Sequence, residues 1–129
     1  GLKVTLKAGL LVRQPGPRFA LHGTAGSFVK YGVDPQEDAL KGGRSPREPH
    51  WGVEPETAWG TLDTQIGGLH FRGKIETAPG GYQSYYENVY QAIRGEAELL
   101  VKPEEARNTI RIIELAVQSN AEKRTVAFS

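Results

Sequence analysis

Segments with period-two alternation fill the first half of this sequence, and segments with helical periodicity follow in the second half. Residues 2–12 (LKVTLKAGLLV) alternate apolar and polar side chains, as a half-buried strand does. Residues 18–23 and 27–33 repeat this pattern on either side of a glycine-containing connection. Two further strands flank Gly67 and Gly68, which suit a two-residue hairpin turn. The sequence therefore predicts strands paired through antiparallel hairpins.

Helical signals come later in the chain, apart from one short helix. Residues 34–43 (DPQEDALKGG) predict that short helix, with Asp34 as N-cap and two glycines at its end. Residues 82–93 predict an amphipathic helix rich in tyrosine, which should pack on the sheet and which Gly95 should close. Residues 103–124 predict a long helix whose buried stripe is formed by Ala106, Ile110, Ile113 and Val117. Residues 126–128 predict a short last strand.

The order of these segments predicts an α+β domain: an open, mostly antiparallel sheet with helices packed on one face. The length of 129 residues suits one domain, so we expect a single domain over residues 1–129. The sequence contains no methionine and opens inside the first alternating segment. We therefore expect the chain to be part of a longer protein.

Composition narrows the class of function. A formal net charge of +1 without a basic stripe gives no support for nucleic-acid binding. No apolar run approaches the ~20 residues that a membrane span needs. The absence of cysteine excludes disulfides, thiolate metal sites and a cysteine nucleophile, and it fits a cytoplasmic protein. The three histidines lack metal-site spacing, so we expect no metal.

A phosphate-binding loop is the first hypothesis that residues 22–37 (HGTAGSFVKYGVDPQE) raise. A dinucleotide loop needs a strand, then glycines, then a helix that receives the pyrophosphate. In this sequence a strand precedes the glycines of residues 23–26 and another strand follows them. We therefore interpret these glycines as hairpin residues.

Residues 44–60 (RSPREPHWGVEPETAWG) have no regular period, and a loop of this length in a compact domain is usually functional or disordered. Two tryptophans in it, Trp51 and Trp59, favour docking over disorder: each either stacks on a ligand or packs against protein. Glu54 and Glu56 are a weak candidate pair of catalytic carboxylates, because solvated loop acids are common. His50 beside Trp51 either faces a ligand or is simply solvated. Lys30 and Tyr31 end a strand near this loop, where pockets often form.

Three motifs, in order, resemble one known family. They are GPRFALHGTAGSFVKYGVDPQEDALKGG, PGGYQSYYENVYQAIRG and PEEARNTIRIIELAVQS. Together they look like the C-terminal domain of the glucose–fructose oxidoreductase and inositol dehydrogenase (Gfo/Idh/MocA) family, from about Gly16 to Ser129. One departure is Lys102 before Pro103, where a capping Ser or Thr is expected.

The resemblance implies an NAD(P)-dependent oxidoreductase that acts on a sugar, inositol or related polyol. This chain would line the substrate pocket and form a homo-oligomer through its sheet face. NAD or NADP would bind mainly outside this chain, and the fragment itself would hold no cofactor. The family's GxGxxG, Glu-Lys-Pro and Asp-x-x-x-His motifs are absent, so no catalytic residue is transferred.

The alternative is a non-catalytic carbohydrate-binding or dimerisation module. Candidate substrate-binding residues are Lys30, Tyr31, Asp34, His50, Trp51 and Tyr82.

Overall fold

A four-stranded antiparallel sheet forms the centre of the first half of the chain. The computed structural model describes residues 1–128. The strands are β1 (Phe19–His22), β2 (Gly26–Lys30), β3 (Gly60–Ile66) and β4 (Leu69–Ile75), and they follow one another in this order across the sheet. Gly67 and Gly68 have φ of 58° and 83°, the left-handed values that the β3–β4 hairpin turn requires.

Three α-helices accompany the sheet: α1 (Gln36–Lys41), α2 (Tyr82–Ile93) and α3 (Pro103–Glu122). A single 3₁₀ turn, Glu56–Ala58, precedes β3. This confirms the α+β class with an open antiparallel sheet. The chain divides into two compact units, residues 1–81 and the residues from Tyr82 onward, each of which is described separately.

The register gives the sheet one apolar and one polar face. Paired rows place Leu21, Phe28 and Leu62 side by side on the same face. The rows of the opposite face carry His22, Ser27, Asp63 and Arg72. Much of the apolar face stays exposed, including Phe19, Leu21, Ile66, Leu69, Phe71 and Ile75. Lys30 falls in the row of Phe19 and Ile75, so its side chain belongs to the apolar face.

Gly60 allows the Phe28 ring to approach the sheet closely. A Cβ at Gly60 would collide with the Phe28 ring, so only glycine leaves the ring room over β3. The ring covers the start of the strand that follows the long loop. This contact anchors the end of the loop on the apolar face.

The helix termini follow the local sequence signals. The N-cap of α1 is Pro35 and not the predicted Asp34, although Asp34 Oδ1 accepts the Gln36 amide at 2.8 Å from one residue before it. Gly95, at φ 73°, closes α2 as predicted, with its amide bonded to the Ala92 carbonyl. At α3, a Lys102 side chain has no acceptor atom, but the Glu105 carboxylate accepts the Lys102 amide at 3.0 Å. Half of a capping box therefore replaces the missing Ser or Thr.

Four further sequence predictions about the fold are wrong. Residues 2–12 and 126–128 form no strand. The predicted stripe of α3 is largely exposed, since Ile110, Ile113 and Val117 lie in solvent and only Leu115 of this helix is buried. The tyrosines of α2 are also exposed rather than packed. Alternation and helical spacing show which residues share a face, but they do not supply the strand or surface that must cover that face.

Candidate functional site

The Lys30 side chain crosses from the end of β2 to the long loop. Its Nζ donates to the Glu54 carboxylate, to the Ala58 carbonyl at 2.8 Å and to the Thr77 hydroxyl at 3.2 Å. An ammonium group has three N–H donors, so three acceptors from this chain satisfy it. Side-chain exposure is only 12% for Lys30 and 6% for Glu54, which makes this a largely desolvated ion pair. We call these four residues the Lys30 cluster.

A second cluster, the Gln36 cluster, consists of the exposed Asp34 and the buried Gln36 and Trp51. Gln36 is 1% exposed, and its amide nitrogen donates to both carboxylate oxygens of Asp34 at 3.0 Å. The Trp51 indole nitrogen donates to Gln36 Oε1 at 2.8 Å. Trp51 itself is 8% exposed, so its ring is a packing element of the first unit. The cluster joins the start of α1 to the middle of the long loop.

A backbone contact between Gly52 and Gly80 lies next to the Gln36 cluster. The Gly80 amide donates to the Gly52 carbonyl at 3.3 Å. A Cβ on Gly52 would collide with the Gly80 backbone, and one on Gly80 would collide with the Asp34 and Gln36 side chains. Three segments distant in sequence therefore meet where glycine alone fits.

We refer to residues 44–59 as the tryptophan loop. Both clusters and the Gly52–Gly80 contact bind this loop to the rest of the first unit. The Trp59 indole nitrogen also donates to the Glu54 carbonyl at 3.3 Å, and Lys74 Nζ donates to the Trp59 carbonyl at 2.8 Å. These bonds thus fix the tryptophan loop beside the end of β2. Trp51 is buried and Trp59 is half-buried.

The six sequence-predicted site residues fall into different surroundings. Lys30 lies in its own cluster, and Asp34 and Trp51 meet in the Gln36 cluster. Tyr31 is 58% exposed directly after β2, and His50 is exposed directly before Trp51. Tyr82, 43% exposed, opens α2 and belongs to the second unit.

The backbone of His50 has a left-handed φ of 60°. A residue with a side chain adopts this conformation at a cost, and residues held there often belong to functional sites. The neighbouring Gly52, at φ 71°, gives the loop a second left-handed position. His50 is therefore an exposed side chain with an unfavourable backbone conformation, directly before the buried Trp51.

Sequence reasoning missed Gln36 and Thr77 and underrated Glu54. Gln36 lies inside the DPQE motif, so the motif itself was the available signal. Glu54 was considered as the partner of Glu56, but Glu54 is buried and Glu56 is exposed. Nothing local marks Thr77, because only the return of the chain after β4 brings it to Lys30.

Surface electrostatics near the tryptophan loop come from two short-range ion pairs. The Ser45 backbone amide and then the Arg44 guanidinium lower the pKa of the Glu48 carboxyl. On α1, a hydrogen bond and charge attraction between Glu37 and Lys41 lower the pKa of Glu37 and raise that of Lys41. These groups lie at the surface, so they tune its charge and contribute little to stability.

The glycine loop of residues 23–26 does not have the geometry of a dinucleotide-binding loop. The glycines of residues 23–26 join β1 to β2, and no helix N-terminus follows them to receive a pyrophosphate. Across residues 1–128, no group of three or more His, Cys, Asp or Glu side chains could hold a metal ion. Within the same residues, none of the helices is long and apolar enough to cross a membrane.

The fold defines an α+β domain built on an open antiparallel sheet. The family description "Oxidoreductase family, C-terminal alpha/beta domain" (Gfo/Idh/MocA) matches residues 1–128. The chain belongs to the Gfo/Idh/MocA oxidoreductase family, as its C-terminal domain.

Named relatives agree with this assignment. The chain is 42% identical over 125 residues to the scyllo-inositol 2-dehydrogenase (NADP(+)) IolW of Bacillus subtilis, a match that covers 97% of this chain and 35% of that protein. It is 32% identical to the uncharacterized oxidoreductase YdgJ of Escherichia coli, over 98% of this chain and 36% of YdgJ. The chain thus spans about a third of the length of these relatives.

Solved structures share the fold. A Bacillus subtilis structure described as the oxidoreductase YvaA superposes with a TM-score of 0.86 at 42% identity, covering 94% of this chain and 36% of that one. A Bacteroides fragilis oxidoreductase structure superposes with a TM-score of 0.85 at 45% identity, covering 92% of this chain and 35% of the other.

Proposed function

We propose that this chain is the substrate-binding and oligomerisation domain of an NAD(P)-dependent oxidoreductase that acts on an inositol or a related polyol. The observation that carries this proposal is the 42% identity to a scyllo-inositol 2-dehydrogenase across 97% of the chain. That relative is named for NADP(+), so NADP is our first choice of cofactor over NAD.

The geometry of the first unit supports a polyol-binding role. Polyols present many hydroxyl groups, which bind to a few well-placed polar side chains on a rigid part of the protein. The tryptophan loop is such a rigid segment, and Tyr31 and His50 are exposed beside it. We propose that Tyr31 and His50 contact the polyol, while Lys30 and Trp51 hold the loop that carries His50.

The exposed apolar sheet face supports the proposed assembly. Phe19, Leu21, Leu69 and Phe71 of this face are each at least 39% exposed. An apolar surface of this kind is usually covered by another protein surface. We propose that a second copy of the protein covers it, which sedimentation of the full-length protein tests.

The dinucleotide would bind mainly outside this chain; in support, the glycines of residues 23–26 join two strands and lead to no helix N-terminus. When bound, the nicotinamide would supply the hydride chemistry. This chain would bind and orient the polyol. Its cytoplasmic location stays a prediction that cell fractionation tests.

A substrate screen of the full-length protein tests the proposal. The full-length protein is assayed with scyllo-inositol, other inositols and hexoses, each with NADP⁺ and with NAD⁺, by the absorbance of the reduced nicotinamide. We expect turnover of at least one inositol, and none by residues 1–129 alone. Binding of a polyol without any turnover by the full-length protein would instead support the non-catalytic module.

A further inference from the structure

The Lys30 ammonium has no N–H donor left for a ligand after its bonds to Glu54, Ala58 and Thr77. A direct bond to a substrate hydroxyl would have to replace one of these bonds. Loss of the Glu54 bond would leave a carboxylate of 6% side-chain exposure without its cation. Breaking a buried ion pair in this way is strongly unfavourable. Lys30 therefore acts on a ligand through the residues that it holds.

The bonds of Lys30 determine where the tryptophan loop lies. Glu54 and Ala58 belong to the second half of the loop, and Thr77 belongs to the segment that follows β4. Lys30 thus connects three parts of the first unit from the end of β2. The loop has only the 3₁₀ turn Glu56–Ala58 as regular structure, so its position depends on such side-chain bonds.

The Gln36 cluster holds the first half of the same loop through Trp51. His50 directly precedes this buried ring and has a left-handed backbone. Two residues separate Trp51 from Glu54, so both anchors lie just C-terminal to His50 and restrict where the chain can place it. A change at Lys30 would therefore move or loosen the loop without touching the His50 side chain.

We propose that Lys30 is a positioning residue, which fixes the tryptophan loop through Glu54, Ala58 and Thr77 so that His50 meets the polyol substrate. This inference rests on the proposed function for the identity of the ligand. The loop-fixing part is independent of it. Lys30 lies outside the reacting groups, so its loss should weaken polyol binding and leave cofactor binding unchanged.

The test uses the full-length protein and three variants. Lys30→Met removes the cation and leaves Glu54 unpaired. The double variant Lys30→Met/Glu54→Leu replaces the ion pair by apolar side chains, which restores packing and stability without restoring the bonds to Ala58 and Thr77. Lys41→Met is the matched control, because Lys41 forms an exposed ion pair with Glu37 on α1.

Two measurements are made on each protein. Hydrogen–deuterium exchange followed by mass spectrometry reports the protection of peptides from residues 44–59. Steady-state kinetics give KM separately for scyllo-inositol and for NADP⁺. We expect both Lys30 variants to exchange faster in the loop and to raise the polyol KM on the order of tenfold, as misplacement of a binding group does. The NADP⁺ KM and the Lys41→Met protein should resemble wild type.

Unchanged loop exchange in both Lys30 variants would overturn the inference, whatever the substrate proves to be. Faster exchange with an unchanged polyol KM would also overturn it, because the bond would then be structural only. If wild-type protein turns over no polyol, the proposed function fails, while the exchange experiment still decides whether Lys30 fixes the loop.

Discussion

The Trp51 indole nitrogen lies 2.8 Å from the Gln36 side-chain oxygen, although fifteen positions separate the two residues. Both side chains are buried, and Gln36 is 1% exposed. A buried donor and a buried acceptor satisfy each other here. The bond therefore stabilises the fold mainly because its loss would leave a buried polar group without a partner. It joins α1 to the tryptophan loop and explains why that loop is ordered.

Gln36→Leu should lower the free energy of unfolding by about 2 kcal/mol, because it leaves the Trp51 N–H buried without an acceptor. Urea titration of the full-length protein measures this change. Gln83→Ala, at an exposed position of α2, is the control and should have little effect. In a double-mutant cycle with Trp51→Phe, additive losses would show that the two side chains do not interact.

Gly52→Ala should destabilise the protein more than Gly43→Ala. Both glycines have positive φ, 71° and 82°, so alanine strains the backbone at each by about 1 kcal/mol. Only Gly52 faces a neighbour, the Gly80 backbone, whereas nothing lies near a Cβ at Gly43. Thermal unfolding of both variants measures the difference. Equal melting temperatures would contradict the close approach of residues 52 and 80.

His50→Gly should stabilise the fold by about 1 kcal/mol, because glycine adopts the left-handed backbone without strain. On the proposed function, the same variant should also raise the polyol KM. Lys123→Gly is the matched control: Lys123 has φ 54° at the end of α3, so it should gain stability with no change in KM. A His50→Gly protein with wild-type KM would remove His50 from the polyol site.

Asn88 should stabilise the second unit by bonding the connection between α2 and α3. It is buried at 9% exposure, where its amide donates to the Glu98 carbonyl and its oxygen accepts the Leu100 amide, both at 2.9 Å. Asn88→Leu should lower the free energy of unfolding by about 2–3 kcal/mol, since two backbone groups of the α2–α3 connection lose their partner. Exposed Asn120→Leu should change it little. Similar urea midpoints for the two variants would refute this role.

The pKa of the Glu48 carboxyl should lie below the ordinary glutamate value of 4.5, because the Ser45 amide and Arg44 favour its charged form. Because folding lowers this pKa, the charged carboxylate stabilises the folded state at pH values above the unfolded pKa. That stability is lost as the pH falls through the folded pKa. A ¹³C NMR titration measures the pKa. In Arg44→Ala it should rise only in part, since the Ser45 amide is the larger cause; a full return to the ordinary value would contradict this order.

Local sequence signals predicted most of the elements. Gly67 and Gly68 predicted the β3–β4 turn, Asp34 predicted a side-chain bond to the first amide of α1, and Gly95 predicted the end of α2. Each signal depends on atoms within a few residues, such as a side-chain oxygen near a free amide or a glycine at positive φ. The interactions that decide these features are therefore present in a short stretch of sequence.

Burial of the apolar faces depends on contacts between residues that are far apart in the sequence. Residues 2–12 alternate as a strand does, yet they pair with no neighbour in the described chain, and Ile110, Ile113 and Val117 keep helical spacing while remaining exposed. A period shows that a face exists, but burial needs a second surface whose position follows from the whole fold.

The sequence by itself determined the α+β class, the antiparallel hairpins, the helix ends and the residue types available near β2, because short-range backbone and capping interactions control all of these. The tertiary structure alone decided that Lys30 meets Glu54 and Thr77, that Gln36 meets Trp51, and that Gly52 touches Gly80. These partners are far apart in sequence. Buried polar groups must find partners wherever the folded chain places them, so only the fold could show which ones they are.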